Sequence, residues 1–171
     1  NQGWTEAIKE NIEYKKKPLL GICIGMQLLS DYGIEESDSE REIKEIREKI
    51  KLKVGDSAIT TKSGMSISVI NKGDGDIYPQ ANSTVKCHYT GKLEDGRIFD
   101  SSVQRGEPFS FSVEKDQVIP GWDQVVQLMR IGDKWEVTIP GNLAYGERGV
   151  PQAGIGPNTT LIFEIELLEI L

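Results

Sequence analysis

The fold of this chain is decided by the stretch Val118-Ile-Pro-Gly-Trp122. Pro120 and Gly121 end any strand here, because proline lacks a backbone N–H and a proline-glycine pair favours a turn. The apolar residues that follow recur at helical spacing: Trp122, Val125, Val126 and Met129. Most tryptophans are core residues, but a tryptophan in the first turn of a lone helix is well placed to form the floor of a pocket.

The segments on both sides of this short helix alternate between apolar and polar residues, which predicts strands. They are residues 65–70, 83–91, 109–113, 135–140 and 160–171. Turn sequences separate them, notably Glu94-Asp-Gly96 after the second strand. Several strands with a single helix predict an α+β domain in which an antiparallel sheet wraps the helix.

Composition excludes several classes of protein. With 37% hydrophobic and 27% charged residues among 171, the chain is globular and has a core of ordinary size. The net charge of −7 without a basic stripe argues against nucleic acid as a partner. No apolar run reaches the length of about 18–20 residues that crosses a bilayer, so no membrane partner is expected. Two cysteines indicate a reducing compartment, and we expect a cytoplasmic location.

Residues 1–36 carry a second motif, Lys17-Pro-Leu-Leu-Gly-Ile-Cys-Ile-Gly-Met-Gln-Leu-Leu29. It reads as a buried strand, a tight turn at Gly21–Gly25 and a helix start, which is the arrangement of a nucleophile elbow around Cys23. The stretch resembles the nucleophile region of class I glutamine amidotransferases, particularly the glutaminase subunit of imidazole glycerol phosphate synthase. The resemblance implies that Cys23 corresponds to the cysteine that attacks the glutamine amide.

The rest of that chemistry is missing from the sequence. A thiolate glutaminase needs a histidine base oriented by a carboxylate, which this family supplies in a His-x-Glu motif. The only histidine, His88, is followed by Tyr89 and Thr90. About 35 residues also cannot form a parallel sheet covered on both faces. We therefore expect residues 1–36 to be an inactive amidotransferase-like fragment, most simply explained by a fused or mis-joined reading frame.

Residues 37–63 are predicted to form a charged helix and a linker, so that a helical extension precedes the strand domain. Ser37 and Glu40 have the spacing of a capping box, and the helix is expected to run to about Lys53. Its narrow apolar stripe consists of Ile43, Ile46 and Ile50. The stripe could support a dimer, but two heptads are short for a coiled coil. A solvated connector is favoured, and the sequence leaves open whether it rests on its neighbour; the next domain is expected to begin near Gly64.

Residues 64–171 resemble the FKBP-type peptidyl-prolyl cis-trans isomerases along their whole length. The motifs that carry the resemblance are 85–102 (VKCHYTGKLEDGRIFDSS), 118–122 (VIPGW), 144–149 (AYGERG) and 158–168 (NTTLIFEIELL). The resemblance implies an antiparallel sheet of five or six strands curled around one short helix. It also implies an apolar pocket between sheet and helix that accelerates rotation about X-Pro bonds, with no covalent chemistry and no cofactor.

The resemblance also implies the site residues. Those at the family's pocket positions are Tyr89, Phe99, Phe109, Val118, Ile119, Trp122, Tyr145, Ile155 and Phe163. Trp122 is then the platform under the prolyl ring, and Tyr89, Phe99 and Phe163 form its walls.

Polar groups complete the implied site. The Ile119 backbone N–H and the Tyr145 hydroxyl would hold substrate carbonyls, and Asp100 would face the twisting carbonyl. Asp100 alone could be a solvated turn residue, but it follows Phe99 inside a complete motif. Val150 stands where some relatives carry histidine, which affects the pocket rim.

Three functions follow from these motifs. The first is a prolyl isomerase acting on proline-containing peptides and proteins, with FK506 or rapamycin as pocket ligands. The second is a chaperone or binding module that captures proline-containing segments with little required catalysis. The third, a glutaminase, is disfavoured by the missing His-x-Glu motif.

Overall fold

The computed structural model describes residues 37–52 and 57–171. The amidotransferase-like segment with Cys23 lies outside the described residues. The helices are α1 (Asp38–Leu52), α2 (Ser102–Arg105) and α3 (Pro120–Val126). The strands are β1 (Ile59–Thr60), β2 (Ser66–Asn71), β3 (Thr84–Leu93), β4 (Ile98–Ser101), β5 (Phe109–Ser112), β6 (Lys134–Ile139) and β7 (Leu161–Ile170). Short 3₁₀ helices occupy Gly141–Leu143, Gly146–Arg148 and Pro151–Ala153.

The strands form one antiparallel sheet in the order β1-β2-β6-β7-β3-β4, and β5 also pairs with β3. The predicted α+β class and antiparallel sheet are confirmed. The sheet has seven strands, one more than the upper expectation, because the two-residue β1 adds an edge to β2.

The long central strands explain where the core lies. Along β3, buried and partly exposed residues alternate strictly, as expected for a strand with one face against a core. Its neighbour β7 alternates in the same way over most of its length. The inward residues of both strands lie opposite each other, for example Tyr89 against Ile165 and Gly91 against Phe163. Helix α3 buries Trp122, Val125 and Val126, so the helix packs its apolar side into the same core as the sheet.

Helix α1 begins with the predicted capping box. The Ser37 backbone N–H donates to Glu40 Oε2 at 3.0 Å, and the Glu40 N–H donates to Ser37 Oγ at 3.3 Å. Further along the helix, Ile46 and Ile50 are buried in the same hydrophobic core as the sheet. The apolar stripe is therefore covered by the chain's own strand domain.

Polar contacts of α1 reinforce this docking. Arg47 donates to the Gln127 carbonyl at 2.7 Å, and its guanidinium lies 3.8 Å from the centre of the Tyr78 ring. Glu42 Oε1 accepts from the Lys62 backbone N–H at 2.9 Å. Residues 41–171 form one compact unit.

Within the described ranges, no helix has both the length and the apolar character required to span a membrane.

Candidate active site

Trp122 lies at the centre of an aromatic cluster on the concave face of the sheet. Ring centres lie 5.0 Å away for Tyr89, 5.4 Å for Phe163, 5.8 Å for Phe111 and 6.0 Å for Phe109. All four pairs meet at steep angles, which is a favoured geometry for aromatic rings. Trp122 is 4% exposed, so it can form a floor that bulk water does not reach.

Phe99 extends the aromatic surface beyond the rings that touch Trp122. Its ring meets Phe163 edge to face, with centres 5.6 Å apart. Gly91 makes this approach possible, since a Cβ at that position would lie 2.6 Å from the Phe99 ring and 2.9 Å from the Phe163 ring. A glycine is needed at position 91 because the Phe99 and Phe163 rings both lie close to its backbone.

A polar group of three residues borders the aromatic cluster. The Tyr89 hydroxyl donates to Asp100 Oδ2, and Arg105 forms an ion pair with Asp100 Oδ1. Arg105 also donates to the Tyr89 hydroxyl oxygen at 3.1 Å. The Asp100 side chain is 42% exposed, so the carboxylate lies where the apolar surface meets solvent.

The surroundings raise the pKa values of Tyr89 and Arg105. Burial raises the pKa of the Tyr89 phenol, and its hydrogen bond to Asp100 adds to the rise. Hydrogen bonds to Tyr89 and Asp100 raise the pKa of the Arg105 guanidinium. At neutral pH the phenol is therefore a donor and the guanidinium a cation.

Arg105 is not among the site residues predicted from the sequence. It lies in the four-residue helix α2, whose N-cap Ser101 accepts from the Gln104 N–H at 3.3 Å. Gly106 closes the helix in the left-handed conformation, with φ of 72°. The sequence feature that could have identified Arg105 is its position five residues after Asp100 and directly before Gly106.

Tyr145 interacts electrostatically with the polar group. Burial raises the pKa of its phenol, and the charge of Asp100 raises it further. The residue as a whole is 40% exposed.

The remaining predicted pocket residues belong to the hydrophobic core around Trp122. Val118 and Ile119 are partly buried and pack against it, and Ile155 is almost fully buried. The Ile119 carbonyl accepts from the Trp122 N–H at 2.9 Å, which begins helix α3. Val118, Ile119 and Ile155 thus belong to, or border, the same core as Trp122.

Cys87 is fully buried in the hydrophobic core, and His88 follows it on β3. Burial raises the pKa of the Cys87 thiol to about 12, so it stays protonated at neutral pH. His88 Nδ1 lies 3.0 Å from the buried Ser102 Oγ. In the described part of the chain, no group of three or more His, Cys, Asp or Glu side chains could hold a metal ion.

The site therefore consists of an aromatic cluster with a carboxylate at its edge, between an antiparallel sheet and a short helix, and clusters of this kind are typical of sites for apolar ligands. Residues 75–168 match the family model of FKBP-type peptidyl-prolyl cis-trans isomerase. The chain belongs to this family.

Relatives at high identity match the same part of the chain. The FKBP-type 22 kDa peptidyl-prolyl cis-trans isomerase of Escherichia coli is 57% identical over 112 residues, which are 66% of this chain and 52% of the relative. FK506-binding protein 1 of Candida glabrata is 47% identical over 111 residues, 65% of this chain and 96% of the relative. That of Saccharomyces cerevisiae is 46% identical over 109 residues, 64% of this chain and 95% of the relative. The chain thus spans about half the length of the bacterial relative.

A second family model, glutamine amidotransferase class-I, matches residues 2–104. This match agrees with the resemblance around Cys23. Its C-terminal part, residues 75–104, overlaps the isomerase match and lies in the antiparallel sheet through β3 and β4.

Proposed function

We propose that residues 64–171 catalyse cis-trans isomerisation of X-Pro bonds in peptides and proteins. The observation that carries this proposal is the position of Trp122 at the centre of a cluster of four aromatic rings, one of which, Tyr89, donates to the Asp100 carboxylate.

The physical reason lies in the amide bond. Rotation about X-Pro has a barrier of about 18–20 kcal/mol because it breaks amide resonance. The twisted transition state has lost that resonance and is less polar than the planar amide. An apolar pocket therefore binds the twisted form better, and differential binding of this kind lowers the barrier.

Each residue has a role in this scheme. Trp122 is the platform for the prolyl ring, with Tyr89, Phe99 and Phe163 as walls. Phe109, Val118 and Ile155 complete the apolar lining. The Ile119 N–H and the Tyr145 hydroxyl hold the carbonyls that flank proline, while Asp100 faces the carbonyl that rotates.

We propose FK506 and rapamycin as ligands of the same pocket, which the names of the fungal relatives support. The composition of the chain and its two cysteines support a cytoplasmic site of action. A module that only captures proline-containing segments would use the same pocket, so turnover must be measured separately from binding.

The deciding experiment follows isomerisation of a short X-Pro peptide by NMR exchange, with and without rapamycin. It compares the wild type with Tyr145→Phe combined with Asp100→Val, and with Asp76→Val as a control at an exposed carboxylate. Rapamycin-sensitive turnover that falls in the double variant and persists in the control supports the proposal.

Two other results would change or contradict the proposed isomerase function. Rapamycin binding without turnover would favour the capture module. A folded protein with neither property would contradict the assignment of the pocket.

For residues 1–36 we propose the absence of glutaminase activity. The only histidine of the sequence, His88, lies on β3 with its ring nitrogen against Ser102. Glutamine hydrolysis that disappears in Cys23→Ser would refute this.

A further inference from the structure

The loop between β6 and β7 contains a small hairpin whose two ends are Val150 and Ile155. We call this hairpin the Val150–Ile155 rim of the proposed pocket. The Val150 N–H donates to the Ile155 carbonyl at 2.8 Å, and the Ile155 N–H donates to the Val150 carbonyl at 3.1 Å. The turn between them is the 3₁₀ helix Pro151–Ala153, closed by Gly154 at φ of 70°. Because Ile155 is almost fully buried, the hairpin determines how that side chain enters the pocket lining.

Arg97 reaches this hairpin from another part of the chain. Its Nη2 donates to the Gly154 carbonyl at 3.0 Å, across a separation of 57 residues. The guanidinium also lies close to the glycine, since a Cβ at Gly154 would be 2.7 Å from Nη2. The contact thus combines a charge-assisted hydrogen bond with close packing of the guanidinium on the turn.

The backbone at Arg97 is itself held firmly. The Arg97 carbonyl accepts from the Leu93 N–H at 2.9 Å, and its N–H donates to Asp95 Oδ1 at 2.9 Å. Phe99 follows two residues after Arg97, in β4, and packs on Phe163. The turn that carries Arg97 is therefore continuous with one wall of the aromatic pocket.

We propose that Arg97 is a positioning residue that joins the Phe99 wall of the pocket to the Val150–Ile155 rim. This rests on the proposed isomerase function. The bond to Gly154 holds the rim in its binding conformation before a peptide arrives, so that binding does not have to order it. Arg97 touches neither Trp122 nor Asp100 in the contacts described, and its loss leaves the floor and the carboxylate in place.

The effect of Arg97 is consequently on peptide binding more than on turnover. Arg97→Ala should raise KM for a short X-Pro peptide about three- to tenfold, the range expected for one hydrogen bond of ordinary strength, because Arg97 is exposed to solvent. The value of kcat should stay within about twofold, because the groups that face the rotating bond are unchanged. Arg97→Lys keeps one donor and should recover part of the loss in KM.

The experiment measures KM and kcat by NMR exchange for the full chain and these variants. Arg148→Ala is the matched control, an exposed arginine in the neighbouring 3₁₀ helix. Amide hydrogen exchange at Val150 and Ile155 measures the effect of the Arg97–Gly154 hydrogen bond on the hairpin independently of activity. The exchange should accelerate in Arg97→Ala and not in Arg148→Ala. Since Arg97 is exposed, urea unfolding should show a folded variant.

The possible failures can be told apart. Unchanged amide exchange and unchanged KM in Arg97→Ala, with an active wild type, would overturn the positioning role alone. Equal losses in Arg148→Ala would also overturn it, because the effect would then be one of surface charge. An inactive wild type would overturn the proposed function and the role of Arg97 in it.

Discussion

The Tyr89 hydroxyl donates a hydrogen bond to Asp100 Oδ2, although the two residues lie on different strands. Their meeting follows from strand pairing. Gly91 lies opposite Asp100 in the antiparallel ladder between β3 and β4. Tyr89 precedes Gly91 by two residues, so both lie on the same face of β3. The sheet therefore sets the position of the carboxylate relative to the aromatic floor, and Arg105 then binds both side chains.

The first prediction concerns Arg105. Arg105→Ala removes the cation from Asp100 and one partner from the Tyr89 hydroxyl. We expect kcat/KM for an X-Pro peptide to fall about three- to tenfold, since one charge-assisted hydrogen bond is lost at the edge of the site. The midpoint of urea unfolding should hardly change, because exposed ion pairs contribute little to stability.

Arg105→Lys tests the geometry, since a lysine cannot present two donors in a planar fork. It should recover only part of the activity. Lys115→Ala, at an exposed cation away from Asp100, serves as the control. Full activity of Arg105→Ala would show that the carboxylate needs no cation beside it.

The sequence predicted those features that depend on local pattern. Alternation located five of the seven strands but missed β1 and β4, which are too short to show a clear alternation. The spacing of Trp122, Val125 and Val126 located the helix beneath the sheet. Arg105 could not be identified in this way, because its position depends on a four-residue helix and on a contact with another strand. The docking of α1 was left open for a similar reason, since an apolar stripe does not identify the surface that covers it.

The second prediction concerns alkaline pH. Burial raises the pKa of the Tyr89 and Tyr145 phenols in the folded protein. The unfolded chain then loses these protons first, above the ordinary tyrosine pKa of about 10. Their contribution to stability is complete below that pH and is lost as the pH rises through the folded-state values.

We therefore expect the free energy of unfolding to fall more steeply above about pH 10 in the wild type than in Tyr89→Phe. Urea unfolding between pH 8 and 11 measures this, with Tyr78→Phe as the matched control. Parallel curves for wild type and Tyr89→Phe would contradict the raised pKa of Tyr89.

The third prediction concerns Gly91. A Cβ there would lie within 3 Å of both the Phe99 and the Phe163 rings, so Gly91→Ala must displace at least one of them. We expect a loss of about 1–3 kcal/mol in stability, typical of overpacking. Rapamycin affinity, measured by calorimetry, should fall together with peptide turnover.

Gly75→Ala is the matched control. The nearest atoms to a Cβ at Gly75 lie 3.6 Å away, which is ordinary van der Waals contact. This variant should retain stability and ligand affinity. If Gly91→Ala behaved like Gly75→Ala, the two rings would have room to move without affecting the pocket.

The fourth prediction tests whether α1 is part of the folded unit. Ile50 is 3% exposed and Leu52, on the same helix, is 80% exposed. Ile50→Ala should cost about 2–4 kcal/mol because it removes buried methyl groups and leaves a cavity. Leu52→Ala should change the free energy of unfolding by less than about 0.5 kcal/mol. Urea unfolding of the full chain, followed by tryptophan fluorescence, distinguishes the two. Equal small effects would mean that α1 does not contribute to the core, whereas a large effect of Ile50→Ala alone makes the helix an integral part of the unit that carries the pocket.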